Sequence, residues 1–504
     1  MTEHLTSYRR ILKSSSIIGG ASVINILISL VRTKLVALLL GPSGIGLISL
    51  YSGLISTAAT VASVGIGITG TRQVAEARGH EDEHILAVVR RAMFWGVVLL
   101  ASAGALVVWS LRDILALHVL GSVANSSVVA WLALGVALSV ACASQGALIQ
   151  GMRRMGDMAR LSVFGSLLNT VLGLALLWKW GQSGLVAFVL IGPMTSFLLG
   201  HWYVSRLPKP ALSTIEMHEL THQWQTLLRL GIPFMGANLV GSLVQLWIRV
   251  EVSHTFGPEA LGHFQAAWAI SMQYIGFVLG AMGADYYPRL SGLIHDHKAA
   301  TRLVNEQTEI ALLLSAPIFI GMLGLAPWVI HLLYSSDFAP AIEVLRWQIL
   351  GDVLKVSSWP LGFIILAAGD GKTFLWVETL SFLLMGGLIA GLSSSVGLQI
   401  TGIAFFVMYV VYLPLVYSIA KRRIGFYWQR SVVFLFFSIM MICILVYILC
   451  LANWFGGVVA TGLALIFGLY TIVRLASMSG VRGYLQRYST AGMQVINKLG
   501  YKHI

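Results

Sequence analysis

The sequence predicts an all-α integral membrane protein of about fourteen transmembrane helices, and three observations carry that expectation. The chain is 57% hydrophobic and only 11% charged, whereas a soluble domain uses about 25% charged residues to cover its water-facing surface. Apolar runs of about 20 residues, long enough to span a bilayer, recur from one end to the other. Of the 33 basic residues, 26 fall in one set of alternate loops or at the termini, as the positive-inside rule demands.

In chain order, the apolar windows fall at 12–40, 44–70, 86–110, 122–150, 157–178, 182–205, 226–250, 260–287, 303–333, 340–368, 373–393, 397–419, 431–452 and 454–474. The first run is too long for a signal-peptide core and ends at Gly41-Pro42 without a cleavage pattern, so it reads as a retained span. The polar stretches 206–225 and 291–308 are too short to build a soluble core. Cys142, Cys443 and Cys450 all lie inside apolar segments, which favours small-residue packing over a disulfide framework.

Orientation follows from charge. With the N-terminus in the cytoplasm, one set of loops carries Arg9, Arg10 and Lys13, then Arg72, Arg78, Arg90 and Arg91, then Arg153, Arg154 and Arg160. The same side takes Arg206, Lys209 and Arg229, then Arg289, Lys298 and Arg302, then Lys372, then Lys421, Arg422, Arg423 and Arg430, and finally the basic C-terminal tail. Only Arg112 and Lys179 fall in the opposite loops. The net charge of +13 therefore reflects topology and excludes nucleic acid as a partner, because the basic residues are spread over short loops.

The chain also resembles itself at an offset of 216 residues. Gly41-Pro42-Ser43-Gly44-Ile45-Gly46 closes the first span, and Gly257-Pro258-Glu259-Ala260-Leu261-Gly262 closes the seventh. Gly181-Gln182-Ser183-Gly184 joins the fifth and sixth spans, and Gly397-Leu398-Gln399-Ile400 joins the eleventh and twelfth. A six-helix unit repeated after an even number of spans keeps its orientation, which is a parallel repeat of the kind alternating-access transporters use. The expected organisation is an N-terminal six-helix bundle at 1–205, a cytoplasmic linker at 206–225 and a C-terminal six-helix bundle at 226–420. Two additional transmembrane helices at 421–475 and a cytoplasmic tail at 476–504 complete it.

Ionisable residues inside spans are expensive and face a cavity or a partner. Arg32 lies nine residues before Gly41 and Arg249 eight before Gly257, each roughly 13 Å deep at 1.5 Å per residue. Guanidinium groups pair bidentately with phosphate oxygens, so both are candidates for a phosphate-bearing substrate. The alternative is an internal salt bridge, such as Arg249 with Glu251. Lys34 is a further substrate-contact candidate, but it sits about 200° around the helix from Arg32, so both cannot face one cavity and Lys34 can instead snorkel to the headgroups. The tenth span holds Glu343, Arg346, Asp352 and Lys355. Asp352 and Lys355, one turn apart, either neutralise each other or make Asp352 an ion-coupling carboxylate with Lys355 as a further substrate contact. Glu378 and Glu309 are candidates of the same ion-coupling kind.

Other motifs are decoys. Gly369-Asp370-Gly371-Lys372-Thr373 imitates the end of a P-loop, but its first glycine is replaced by Leu366 and no strand precedes it. His80 and His84, like His295 and His297, lie in polar loops and read as solvated faces rather than metal ligands. No catalytic constellation is evident, so a transporter is expected rather than an enzyme.

Residues around spans eight to eleven carry a family likeness. Asp285-Tyr286-Tyr287-Pro288-Arg289-Leu290-Ser291, Val304-Asn305-Glu306-Gln307 and Trp347-Gln348-Ile349-Leu350-Gly351-Asp352-Val353-Leu354-Lys355 resemble the O-antigen and enterobacterial-common-antigen flippases. These form the polysaccharide-transporter branch of the MOP exporter superfamily, and the likeness covers about residues 8 to 425. It implies two six-helix bundles around a central cavity, plus two C-terminal helices. The implied cargo is an undecaprenyl-pyrophosphate-linked oligosaccharide moved from the cytoplasmic to the periplasmic leaflet of the bacterial inner membrane. Other implied partners are membrane lipids, with the polysaccharide polymerase machinery a candidate neighbour; the drive is a proton or sodium gradient, with no cofactor. Rival readings are a lipid II flippase, a multidrug or cation antiporter of the same superfamily, and a membrane glycan polymerase or ligase. Arginines would repel organic cations, and the absence of a large periplasmic loop disfavours the enzyme.

Overall fold

The computed structural model describes residues 2–79, 83–208, 216–452 and 456–478. The predicted loop around His80, part of the linker (209–215) and the tail beyond 478 lie outside the described residues. Described residues form α1 (Thr2–Ser63), α2 (Ile66–Gly79), α3 (Glu83–Ser110), α4 (Arg112–Leu120), α5 (Ser126–Gly151), α6 (Met155–Trp180) and α7 (Leu185–Ser205). They continue with α8 (Met217–Leu293), α9 (His297–Leu333), α10 (Ala341–Ala367), α11 (Gly371–Val396), α12 (Ile400–Ile424), α13 (Arg430–Ala452) and α14 (Gly456–Met478). No strand occurs among them. Helix satisfies every backbone N–H and C=O within its own segment, which hydrocarbon requires.

Besides α8, nine helical stretches among the described residues are long and apolar enough to cross a membrane. Three of them, Gly19–Ser63, Met155–Ser205 and Gly371–Ile424, have 45, 51 and 54 residues and each accommodates two crossings. α8, at 77 residues, holds the seventh and eighth predicted spans on either side of Gly257. The all-α membrane fold expected from the sequence is therefore present. Two details differ from the sequence reading. The loop after the third span carries the short helix α4, and the second span ends at Ser63, where Val64 and Gly65 turn left-handed (φ 44° and 71°) before α2.

Both long helices break at the repeated Gly-Pro motif. Gly41 adopts φ 64°, ψ −170° and Gly257 φ 89°, ψ 169°, a region in which any Cβ would be strained. At Gly41 the chain doubles back. Arg32 and Ser52 are equidistant from Pro42, as are Val36 and Ile48, and all four line one cavity. In a straight helix Arg32 and Ser52 would be roughly 30 Å apart. The two breaks also cross each other. A Cβ on Gly46 would stand 2.0 Å from the Pro258 carbonyl oxygen, and one on Gly262 would stand 1.9 Å from that of Pro42. Each motif thus seats its glycine on the other's proline carbonyl. The second repeated motif behaves alike: Gly181 (φ 54°) and Gly397 (φ 73°) each open a short 3₁₀ turn between consecutive helices.

Packing divides the chain into two compact units, the first within Met1–Ala266, Ile330–Ala341 and Glu378–Ala404, the second within Ala267–Val329, Ile342–Val377 and Phe405–Ile504. In the first, α5 is central and packs on α1, α2, α3 and α7 through Leu132, Val136, Val140 and Ala147. In the second, small residues let helices approach: Gly351 lies under Phe405, and Gly324 under Ala460 and Gly457. Such contacts matter because lipid offers no hydrophobic drive for helix pairing. Large apolar side chains such as Leu27, Leu99, Trp178 and Phe434 stay exposed, as a lipid-facing surface allows. Cys142, Cys443 and Cys450 are free thiols.

Gly46→Ala and Gly262→Ala should each destabilise the protein by about 1–3 kcal/mol, the usual range for overpacking. Gly241→Ala, which meets nothing within 4 Å, should not. Thermal unfolding of the detergent-purified variants reads the difference.

Candidate functional site

The Gly41 hairpin places two adjoining cavities in the first unit. One, of about 300 Å³, is lined by Arg32, Ser52 and Asn169 together with Val36, Phe188 and Pro193. The other, of about 410 Å³, shares Ser52, Val189 and Pro193 with it and adds Ser56, Thr60, Ser63 and Ser139. Arg32 is half-buried, and among the described residues no carboxylate lies within 4.0 Å of it. Guanidinium stays protonated under all ordinary conditions. A charge held at this depth without a protein counter-ion calls for water or an anionic guest.

Arg249 belongs to the same unit and reaches the same hairpin. Its Nη1 would stand 2.7 Å from a Cβ on Gly53, the residue beside cavity-lining Ser52. A larger side chain there would push the guanidinium aside. No carboxylate of the described residues pairs with Arg249; Glu251 instead accepts a hydrogen bond from Thr255 at 3.3 Å. The two arginines match in depth but not in register, since the 216-residue offset pairs Arg249 with Thr33. Lys34 takes another course. Its Nζ donates to the carbonyls of His331 (2.7 Å) and Tyr334, at the C-terminus of α9, where a cation meets the negative end of the helix dipole. It lines neither cavity.

The second unit holds a buried carboxylate. Asp352 is fully buried in α10, and its Oδ2 accepts hydrogen bonds from Ser271 Oγ at 2.7 Å and from Tyr274 Oη. Among the described residues its Oδ1 has no partner, and neither amide atom of Gln348, one turn away on α10, has one. Buried polar atoms are ordinarily paired, so this cluster has open capacity for a cation or proton. Lys355 points its ammonium at Met272 Sδ (3.3 Å) and over the rings of Phe405 and Tyr409 at 5.8 and 5.9 Å. Sequence reading singled out Asp352 but missed Ser271, Tyr274 and Gln348. The i, i+4 spacing of Gln348 and Asp352 inside an apolar span was the available signal.

The remaining candidates are placed elsewhere. Glu309 pairs with Arg474 at 3.0 Å, tying α9 to α14 beside the Thr471 bond to the Leu313 carbonyl. Glu378 sits half-buried in α11, within the first unit. Glu343 and Arg346 pair at 2.7 Å, with the arginine buried. His84 engages Glu219 at 2.8 Å. In the P-loop-like turn Asp370 caps α11, accepting from the Thr373 hydroxyl and N–H, which holds its carboxyl below the usual carboxylate range.

Comparison with known proteins agrees with this architecture. Polysaccharide biosynthesis proteins match residues 35–343 as a family. The lipid III flippase of Escherichia coli (strain K12) is 23% identical over 422 residues, 82% of this chain and 99% of its own length. The Shigella flexneri lipid III flippase matches equally. The fold is shared with the lipid II flippase MurJ in an inward closed conformation, at a TM-score of 0.70 and 14% identity over 92% of this chain and 99% of that one. It is shared too with an inward-facing multidrug resistance MATE family transporter of the MOP superfamily, at a TM-score of 0.66 and 18% identity over 80% and 94%.

Tyr274→Phe removes one of two donors to the buried Asp352 carboxylate, and should cost about 1–3 kcal/mol, the penalty for unpairing a buried polar group. Tyr274→Phe combined with Asp352→Leu should recover part of that loss. Melting temperatures of the single and double variants test the coupling.

Proposed function

Because the chain belongs to the polysaccharide biosynthesis protein family, we propose that it is a flippase for undecaprenyl-pyrophosphate-linked oligosaccharide of the O-antigen type. The lipid would move from the cytoplasmic to the periplasmic leaflet of the inner membrane by alternating access. The observation that supports this most is Arg32, which lines a cavity within a membrane-spanning hairpin with no carboxylate against it. A pyrophosphate offers several anionic oxygens to a guanidinium fork, and Asn169 adds amide donors to the same cavity. Arg249, seated on Gly53 of that hairpin, adds a second positive charge. The same charges disfavour organic cations, and with them the multidrug antiporter.

Coupling is proposed at Asp352. Among the described residues the buried carboxylate has one oxygen unpartnered, beside an unpartnered amide, which leaves acceptor positions for a proton or sodium ion. Translocation is then driven by the ion gradient, with no cofactor. The hydrogen bonds from Ser271 and Tyr274 would hold the carboxylate in place through each cycle.

Deleting the protein should make undecaprenyl-pyrophosphate-linked oligosaccharide accumulate on the cytoplasmic face, and mass spectrometry of the lipid extract identifies the sugars. Arg32→Ala and Arg249→Ala should each reduce export at least tenfold with normal membrane insertion, and Arg→Lys should restore it only in part because the bidentate fork is lost. Full complementation by both alanine variants would refute the phosphate cradle. Asp352→Asn should leave lipid binding unchanged while removing the dependence of transport on the ion gradient, read as flux in proteoliposomes with and without an imposed gradient.

A further inference from the structure

The second cavity differs in chemistry from the first, and the difference is directional. Ser52, Ser56, Thr60 and Ser63 recur at intervals of four, four and three residues, which keeps them within about 80° of one helix face over roughly 16 Å. They descend from the level of Arg32 towards the Val64-Gly65 break, and Ser139 of α5 joins them. Thr60 donates its hydroxyl hydrogen to the Ser56 carbonyl at 2.8 Å, Ser63 to that of Thr60 at 3.2 Å, and Ser139 to that of Gly135 at 2.7 Å. With those hydrogens committed to the helices, the oxygens' free lone pairs make much of this wall an acceptor surface. Among the described residues no aromatic ring lines it, so its polar contacts come from hydroxyls.

We infer that this hydroxyl-lined cavity is a sugar subsite, which receives the first glycosyl residue of the lipid-linked substrate while Arg32 holds its phosphate. The inference rests on the pyrophosphate reading for its orientation. A guest with an anionic group followed directly by several O–H and N–H donors matches the order of the lining, and a glycosyl phosphate is built that way. The cavity's size, about 410 Å³, admits more than one pyranose ring. The wall reads donors without regard to a single stereochemistry, so it suits a carrier of variable oligosaccharides.

The test uses the full chain in lipid nanodiscs and two probes: a short-chain polyprenyl pyrophosphate, and the same lipid bearing one N-acetylhexosamine. The sugar should tighten binding to the wild type at least tenfold. Ser56→Ala with Thr60→Val should reduce that gain at least fivefold while leaving affinity for the bare lipid unchanged. Ser139→Ala, on a different helix, should act in the same sense and serves if the double variant fails to fold. Absence of a sugar-dependent gain in the wild type, an intact gain in the variants, or an equal loss for both lipids overturns the subsite. Arg32→Ala should weaken both lipids by the same factor. If it weakens neither, the pyrophosphate reading falls, and the sugar-dependent gain still decides the subsite.

Discussion

The crossing of the two Gly-Pro breaks is the constraint on which the first unit depends. Gly41 and Gly257 take backbone conformations that only glycine adopts without strain, and five residues later Gly46 and Gly262 each press on the other motif's proline carbonyl. Backbone meets backbone there with no side chain between. That contact fixes where the first hairpin turns and therefore which residues face each other across it. Arg32 and Ser52 become neighbours, and Arg249 comes to rest on Gly53. Repeat symmetry is thus more than a trace of duplication, because the two copies of the motif supply each other's packing surface.

Charge within the membrane is handled in two different ways. Lys34, Arg346, Glu309 and Arg474 are committed to helix carbonyls or to one another, which meets their desolvation cost and ties helices together. Arg32, Arg249 and Asp352 are left with open capacity. The arginines lie in the first unit and the carboxylate in the second. On the proposed function, an anionic cargo and a coupling cation would therefore be held by different sets of side chains.

Much of the fold was legible in the sequence. Span positions followed from hydropathy, because about 20 apolar residues have few alternatives to crossing a bilayer. The two internal breaks were visible as Gly-Pro motifs, and the turns at Gly181 and Gly397 as a second matched pair. Of the candidate site, Arg32, Arg249 and Asp352 could be picked out directly as charges inside apolar spans. Their partners could not. Ser271 and Tyr274 lie about 80 positions from Asp352 in the chain, and nothing local marks them as its donors. The partners of Lys34 and Glu309, some 300 and 165 residues away in the chain, were equally invisible.

By itself, then, the sequence determined that the chain is a helical membrane protein, where its apolar spans lie, where two of its long helices break, and that it repeats. Those properties depend on local quantities, namely hydropathy over one window, the positive φ of a glycine and the period of a helix. Only the tertiary structure decided which buried charges are spent on the fold and which face a cavity. That distinction depends on which helix stands opposite a side chain. Lys34 and Arg32 are two residues apart in sequence, yet one caps α9 while the other lines the cavity.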